Sequence, residues 1–438
     1  MSSRCTEQDH RLKPDFEAPL PMKRAHILYA ILVSAYFMSL LLRISASVVL
    51  PMEAVRLGMS ATMTGLISSL FFCSYAAMQS VSGSLHDSFG PVRVVAAALL
   101  ATATACLLML PSRTPALLAL WRFFSGFGVA AMYSAVLVFM AFAFPAALYC
   151  RYAGINYAVA NLGAITSVAP LGFAIDTLGI PATFSLLSCI CLFLAFLLFS
   201  NRTSDPTRMS AAMREPGGRN GIASLAAGLR NAFVRIMRDR KLRGILILWA
   251  LSAAAFLALQ GLWIVSWFAA AYDIPAVSAR FWATSFGIGM MAGALLTVKV
   301  TAASGQLPRL IRLSCWGNTL CWAALVLAIG LRLPIAVAGG ASLLLGVSCA
   351  IRDVFTMGGV NDLSDPREKG AIFGMMNMLV VGTAVAFQFG TGWIINRFPG
   401  ALPGTYDATG YLVCFGGIVA LLFASLSALR VLPRDRLR

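Results

Sequence analysis

Apolar residues occupy this chain in long unbroken blocks, and polar residues gather in the short gaps between them. Neither the alternation of a half-exposed strand nor the one-sided stripe of a surface helix organises these blocks. A helix needs about 20 apolar residues to cross a hydrocarbon layer about 30 Å thick. Twelve blocks meet that need, at residues 25–51, 61–85, 92–111, 115–143, 152–176, 181–200, 243–270, 280–301, 308–330, 335–360, 370–396 and 408–430; they are numbered helices 1 to 12 here. Hydrocarbon leaves a spanning segment to satisfy its own backbone, so the pattern predicts an all-α membrane protein. A polar stretch at 201–242 separates six helices from six, which predicts two six-helix pseudo-repeats. The expected divisions are a cytoplasmic tail (1–24), a first bundle (25–200), a cytoplasmic central loop with an amphipathic helix (201–242), a second bundle (243–430) and a short cytoplasmic tail (431–438).

Composition agrees and narrows the classes. Hydrophobic residues make up 59% of the chain and charged residues 12%, whereas soluble domains carry about 25% charged residues. Too few charges remain to coat a soluble surface, and the chain is too apolar for disorder. A net charge of +17 would point to nucleic acid in a soluble protein. Here the basic residues sit between apolar blocks, so the partner is the lipid bilayer and no nucleic acid is expected. Of the 34 Lys and Arg, 26 fall on the side that holds both termini, five on the other side and three (Arg43, Arg122, Arg352) inside apolar blocks. By the positive-inside rule both termini lie in the cytoplasm, as in a multi-pass protein of a bacterial inner membrane. The first 24 residues mix charge signs and lack a cleavage pattern, so no cleaved signal peptide is expected. Ten scattered cysteines and three histidines form no metal spacing, and neither a P-loop nor a catalytic cluster occurs. The expectation is a protein that is not an enzyme and needs no metal or cofactor.

Two features interrupt the apolar blocks. Within 201–242, Leu225, Leu229, Phe233 and Ile236/Met237 share one helical face and the arginines the rest, as in a helix lying on an anionic leaflet. Helix 5 and helix 11 both run from a basic start through glycines to Gly-x-x-x-(Asp/Asn), as Gly172…Asp176 and Gly392…Asn396. Two similar halves suit a transporter whose site alternates between the two faces.

Between helices 2 and 3 stands Gly83-Ser84-Leu85-His86-Asp87-Ser88-Phe89-Gly90-Pro91-Val92-Arg93. It resembles the loop motif G-x-L-x-D-x-x-G-x-x-R of the major facilitator superfamily. Helix 4 carries Arg122-Phe123-Phe124-Ser125-Gly126-Phe127-Gly128, similar to that family's R-x-x-x-G-x-G. Helix 5 carries a Gly/Pro run from Gly163 to Gly172, with Ala169 where antiporters have Gly, which speaks against an antiporter. The second copy of the loop motif is degenerate, since Ser304-Gly305-Gln306-Leu307-Pro308-Arg309 lacks the Asp. The resemblance implies a rocking transporter, helices 1, 4, 7 and 10 around a central cavity, and a cytoplasmic gate at Gly83, Asp87, Gly90 and Arg93. Gly83 is expected to allow close helix approach and Gly90 to permit the turn.

Charged residues inside a membrane face a cavity or a partner. On the implied fold, Arg43, Arg122 and Arg352 fall on three of the four cavity helices, and guanidinium grips carboxylate or phosphate with a two-pronged fork. The expected substrate is therefore a small organic anion. Arg43 also resembles the arginine of the organophosphate-permease branch, whose helix-7 partner is basic, whereas helix 7 here offers only Gln260. Each arginine keeps an alternative: Arg43 snorkelling, Arg122 serving structure or coupling, Arg352 pairing with Asp353. Tyr36, Tyr133, Gln260, Trp263 and Asn377 complete the expected site. Asp353, the one acid deep in a block, is the expected protonation site, with Arg122 beside it in the coupling role. The expected function is proton-coupled symport of a small anion by a functional monomer. Efflux of amphipathic compounds and a solute sensor built on the same fold are the alternatives.

Overall fold

The computed structural model describes residues 22–111, 114–202, 205, 222–299, 306–365, 369–401 and 403–432. The Asp87 side chain, Ser304-Gly305 and most of both tails lie outside the described residues. Among the described residues nine helical stretches are long and apolar enough to cross a membrane. Helix 3 (Pro91–Leu107), the first part of helix 5 (Ala146–Thr166) and helix 8 (Ala276–Lys299) bring the helices to the expected twelve. The side bearing both chain ends and the 201–242 stretch is called the linker side, and the opposite one the distal side.

Local chemistry sets where helices start and turn. Pro91 and Pro115 occupy first turns, where the missing N–H costs nothing. Ser60 caps helix 2 (Ala61–Phe89) by accepting from Met63 N at 3.1 Å, and Asp407 caps helix 12 (Ala408–Ser425) by accepting from Thr409 N at 2.7 Å. Gly90 holds φ +79° in the tight turn between helices 2 and 3, as its motif position requires. Gly179 (φ +82°) turns the chain from helix 5, resumed at Ala169, into helix 6, which ends at Ser200. The turn places Asp176 at the distal end of helix 5.

Several helices are interrupted. Ser45 breaks helix 1 into Met22–Ile44 and Ala46–Leu57, and Ala130–Ala131 break helix 4 into Pro115–Val129 and Met132–Ala143. Helix 7 runs Arg240–Ala258, widens into a π-turn over Leu259–Trp263, and continues as Ile264–Tyr272. Such widened turns free a backbone carbonyl and mark functional helices. Here the Gln388 amide nitrogen Nε2 donates to Leu257 O at 2.8 Å.

Within the first half, helix 3 packs on helix 6, helix 2 on helix 4 and helix 1 on helix 5; in the second, helices 8, 9 and 10 (Ile335–Leu363) pack together and helix 7 lies on helix 11 (Lys369–Ile395). Small residues permit this closeness, as at other helix contacts in lipid. A Cβ at Gly126 would fall on the Phe71 carbonyl of helix 2, and one at Gly289 or Gly293 on carbonyls of helix 10. Gly83 differs from expectation: among the described residues a Cβ there would meet nothing within 4 Å, so the close approach foreseen for it is not seen among them.

The halves meet along helices 2 and 11 and along helices 5 and 8. On the distal side Gly65 and Gly392 bring helices 2 and 11 into backbone contact, and Asn396 Oδ1 accepts from Ala61 N at 3.1 Å. Tyr406 Oη adds a bond to Met59 O at 3.3 Å. Nearer the linker side Asn377 Nδ2 donates to Gln79 Oε1 at 2.8 Å. The linker helix, Ile222–Arg238, buries Ala232 and Ile236 against the ends of helices 7 and 11. Phe233, expected on the same face, is exposed, because burying Ile236 and Ala232 turns it outward; the Leu225 side chain lies outside the described residues.

The seam yields a stability test. At Gly392 a Cβ would sit 2.4 Å from the Ala61 carbonyl oxygen, whereas at Gly382 it meets nothing within 4 Å. Overpacking of this kind costs about 1–3 kcal/mol. Gly392→Ala should therefore lower the melting midpoint of the detergent-purified protein and Gly382→Ala leave it unchanged; equal midpoints would remove the seam from the stability of this state.

Candidate functional site

Helix 1 carries Tyr36 and Arg43 about two turns apart, which places both in the middle of the helix on one face. The Tyr36 ring lies 5.1 Å from that of Tyr133, at the start of the second part of helix 4. The Arg43 guanidinium stacks 4.7 Å over the Tyr75 ring of helix 2, and its Nε is buried without a hydrogen-bond partner. Tyr157 of helix 5 stands within electrostatic reach of Tyr36 and Tyr133, and also of Asp353 across the half interface. Four phenols and one guanidinium thus gather on the first half and face the charged pair of the second.

Behind Arg43 lies Arg122, which is 0% exposed. Its Nη1 donates to Leu42 O at 3.1 Å, the carbonyl beside the break in helix 1, which also accepts from Ser45 Oγ at 2.9 Å. Among the described residues its Nε and Nη2 have no hydrogen-bond partner. The guanidinium is held instead over Phe71 (4.4 Å) and Trp121 (5.4 Å), contacts worth about 2 kcal/mol when desolvated. Among the described residues no carboxylate pairs with Arg43 or Arg122.

The second half holds its charge differently. Arg352, 1% exposed, binds Asp353 with Nη2–Oδ1 at 3.0 Å, and its Nη1 donates to Trp249 O of helix 7 at 3.3 Å. Gln260 is buried inside the π-turn. Trp263 spends its indole N–H on Thr391 Oγ1 at 2.9 Å, and Asn377 ties helix 11 to helix 2. The structure therefore brings together Arg43, Tyr36 and Tyr133, and separately Arg352 and Asp353, while Trp263 and Asn377 are bound into helix contacts. At the loop motif Arg93 is partly buried and Gly90 makes the turn. The acid seen at the start of helix 3 is Asp205, whose Oδ2 accepts from Val92 N at 3.2 Å.

Sequence reading missed Tyr75 and Tyr157, although a phenol in mid-block was the signal that found Tyr36 and Tyr133. It also missed Arg280, counted only as a loop charge. Arg280 is buried at the distal end of helix 8 and grips Asp176 with both nitrogens, Nη1–Oδ2 at 2.5 Å and Nη2–Oδ1 at 3.2 Å. Among the described residues no group of three or more His, Cys, Asp or Glu could hold a metal ion.

Arg122 invites a direct measurement. A buried cation without a carboxylate costs stability, and replacing buried ionic groups with apolar ones of similar volume is often neutral or stabilising by about 1–4 kcal/mol. Arg122→Met should hold or raise the melting midpoint of the purified protein. A clear fall would mean that its bond to Leu42 O outweighs the desolvation of the charge.

The sequence profile of the Major Facilitator Superfamily matches residues 32–387. The chain is 25% identical over 221 residues to the probable sulfoacetate transporter SauU of Cupriavidus necator, and this alignment covers 50% of the chain and 51% of that protein. The chain thus spans about half the length of that curated relative. Its fold is similar to the crystal structure of the nucleoside transporter NupG (TM-score 0.71, 14% identity, 92% of this chain and 98% of that one). It is equally similar to a bacterial homologue of the human lysosomal transporter Spinster, solved inward-facing and unoccupied (TM-score 0.72, 13% identity, 94% and 98%). With a family profile covering most of its length, a twelve-helix fold and charged residues gathered at mid-membrane, the chain belongs to the major facilitator superfamily of membrane transporters.

Proposed function

We propose that the protein is a secondary active transporter that moves a small organic anion across a bacterial inner membrane by alternating access, driven by protons. The observation that carries this reading is the pair of guanidinium groups in the first half, Arg43 and Arg122, for which no carboxylate partner is found among the described residues. A cation at mid-membrane attracts an anion when no acid in the protein neutralises it. Arg43 is the contact group, with Tyr36, Tyr75, Tyr133 and Tyr157 supplying hydroxyl donors and apolar ring faces around it. Arg122 adds to the field from behind. Sulfoacetate, named for the relative, carries a sulfonate and a carboxylate, both suited to guanidinium forks, and small molecules of this doubly anionic class are the first to try.

Both termini and the linker lie in the cytoplasm on this reading, in keeping with the skew of basic residues. Asp353 is the proton carrier: when the carboxyl is protonated its pairing with Arg352 weakens, and Arg352 becomes available to the passenger. A neutral Asp353 with one anionic group of the solute at Arg352 keeps the net charge of that pair unchanged, which couples the two events, while the second anionic group is left to Arg43.

Reconstituted vesicles test the whole. Wild-type protein should accumulate sulfoacetate or a related dianion under an imposed proton gradient, and no uptake of any small carboxylate or sulfonate would end the anion reading. Arg43→Gln removes a charge-assisted contact worth about 1.5–3 kcal/mol, so uptake efficiency should fall about 10- to 150-fold. With Asp353→Asn, anion-driven proton movement should disappear while anion exchange across the vesicle wall persists. Proton movement equal to that of wild type would remove Asp353 from coupling.

A further inference from the structure

The distal ends of helices 5 and 11 carry the same short pattern, and both make contact across the halves. Gly392 lets helix 2 approach and Asn396 binds the start of that helix; Gly172 lets the Arg280 side chain lie against helix 5 and Asp176 binds it. One contact is neutral and fixed to backbone. The other is a two-pronged bond between a guanidinium and a carboxylate, the same bond that a carboxylate or sulfonate solute would make. Arg280 also reaches Met52 Sδ of helix 1 at 3.7 Å, so this one side chain ties helix 8 to two helices of the other half.

The surroundings of the pair are unequal. Arg280 is 5% exposed and lies on the wall of a cavity of about 380 Å³ between helices 1, 7 and 8 and the start of helix 12, whose mostly apolar lining also includes Ser47, Ser266 and Tyr411. That volume is in the range of small-molecule sites. Asp176 is 33% exposed, so water reaches the acid while the base stays enclosed. The acid can leave into solvent at little cost; the base cannot leave without losing its pocket.

We propose that Arg280 is a distal capture site for a small oxyanion, and that Asp176 occupies this site and holds the halves together until such an anion replaces it. The inference rests on the anion reading above for its biological ligand, but it concerns a second site outside the central cluster. Anion binding at Arg280 exchanges one carboxylate for another at the guanidinium, and at the same step frees helix 5 from helix 8. Arrival of a solute and opening of the distal face are therefore one event.

Hydrogen exchange of the purified full-length protein tests this without any transport measurement, and flux in vesicles tests the anion reading separately. The probes are sulfate and malonate, each compared with sodium chloride at equal ionic strength. Both oxyanions should speed exchange at residues 169–178 and 276–285 roughly tenfold or more, and chloride should not, because a spherical ion cannot take the fork. Asp176→Asn should exchange fast without any anion and respond to none, while Asp176→Glu should behave as wild type. Gly172→Ala, whose Cβ would fall 2.4 Å from Arg280 Cδ, should loosen the same segments with both charges intact. Unchanged exchange at residues 307–330 certifies that each variant is folded, and if Asp176→Asn fails that check Gly172→Ala decides. Equal effects of chloride and the oxyanions would reduce the finding to screening and overturn the proposal. Slow exchange in the loosened variants would overturn it as well.

Discussion

Hydrocarbon solvates neither a peptide carbonyl nor a charge, and this single constraint accounts for where the polar side chains of the protein sit. Each departure from regular helix frees a backbone group that lipid will not take. At the break in helix 1 the Leu42 carbonyl accepts from Arg122, and before the π-turn in helix 7 the Leu257 carbonyl accepts from Gln388. At both points a side chain of another helix donates to the carbonyl, Arg122 of helix 4 and Gln388 of helix 11, so these irregular points are also points where helices are bound together.

The two halves use one plan with different charge. Arg122 on helix 4 donates to a carbonyl of helix 1, and Arg352 on helix 10 donates to a carbonyl of helix 7; the helices correspond under the pseudo-repeat, although Arg122 stands nearer the distal end of its helix than Arg352 does. Arg352 has an acid beside it and Arg122 does not. The repeat therefore supplies the framework, and the difference between its copies supplies the polarity: a positive wall on one side and a titratable pair on the other. The same division recurs distally, where Asn396 in one copy stands for Asp176 in the other.

The helices and the resemblance to a transporter family were legible in the sequence because both depend on local signals: apolar length, turn residues and short motifs. Arg43, Tyr36 and Tyr133 were legible for the same reason, since a polar group in a long apolar block stands out on its own. Arg280 was not, because its partner lies 104 residues away and Arg280 itself looks like an ordinary loop charge. Trp263 and Asn377 look like site residues by type and depth, yet their hydrogen bonds to Thr391 and Gln79 depend on which faces of helices 7, 11 and 2 meet. Gly83 shows the converse: a motif fixes the residue, but the close contact read from the motif is not made among the described residues.

The contact of helices 2 and 11 at Gly65 and Gly392 is bare backbone against bare backbone. When such a junction parts, no bulky side chain is dragged out of its packing, and little greasy surface is newly bared. Under the proposed alternation this junction would part at the cost of polar bonds such as those of Asn396 and Tyr406, which water can replace one for one, and so be both firm at rest and light to move.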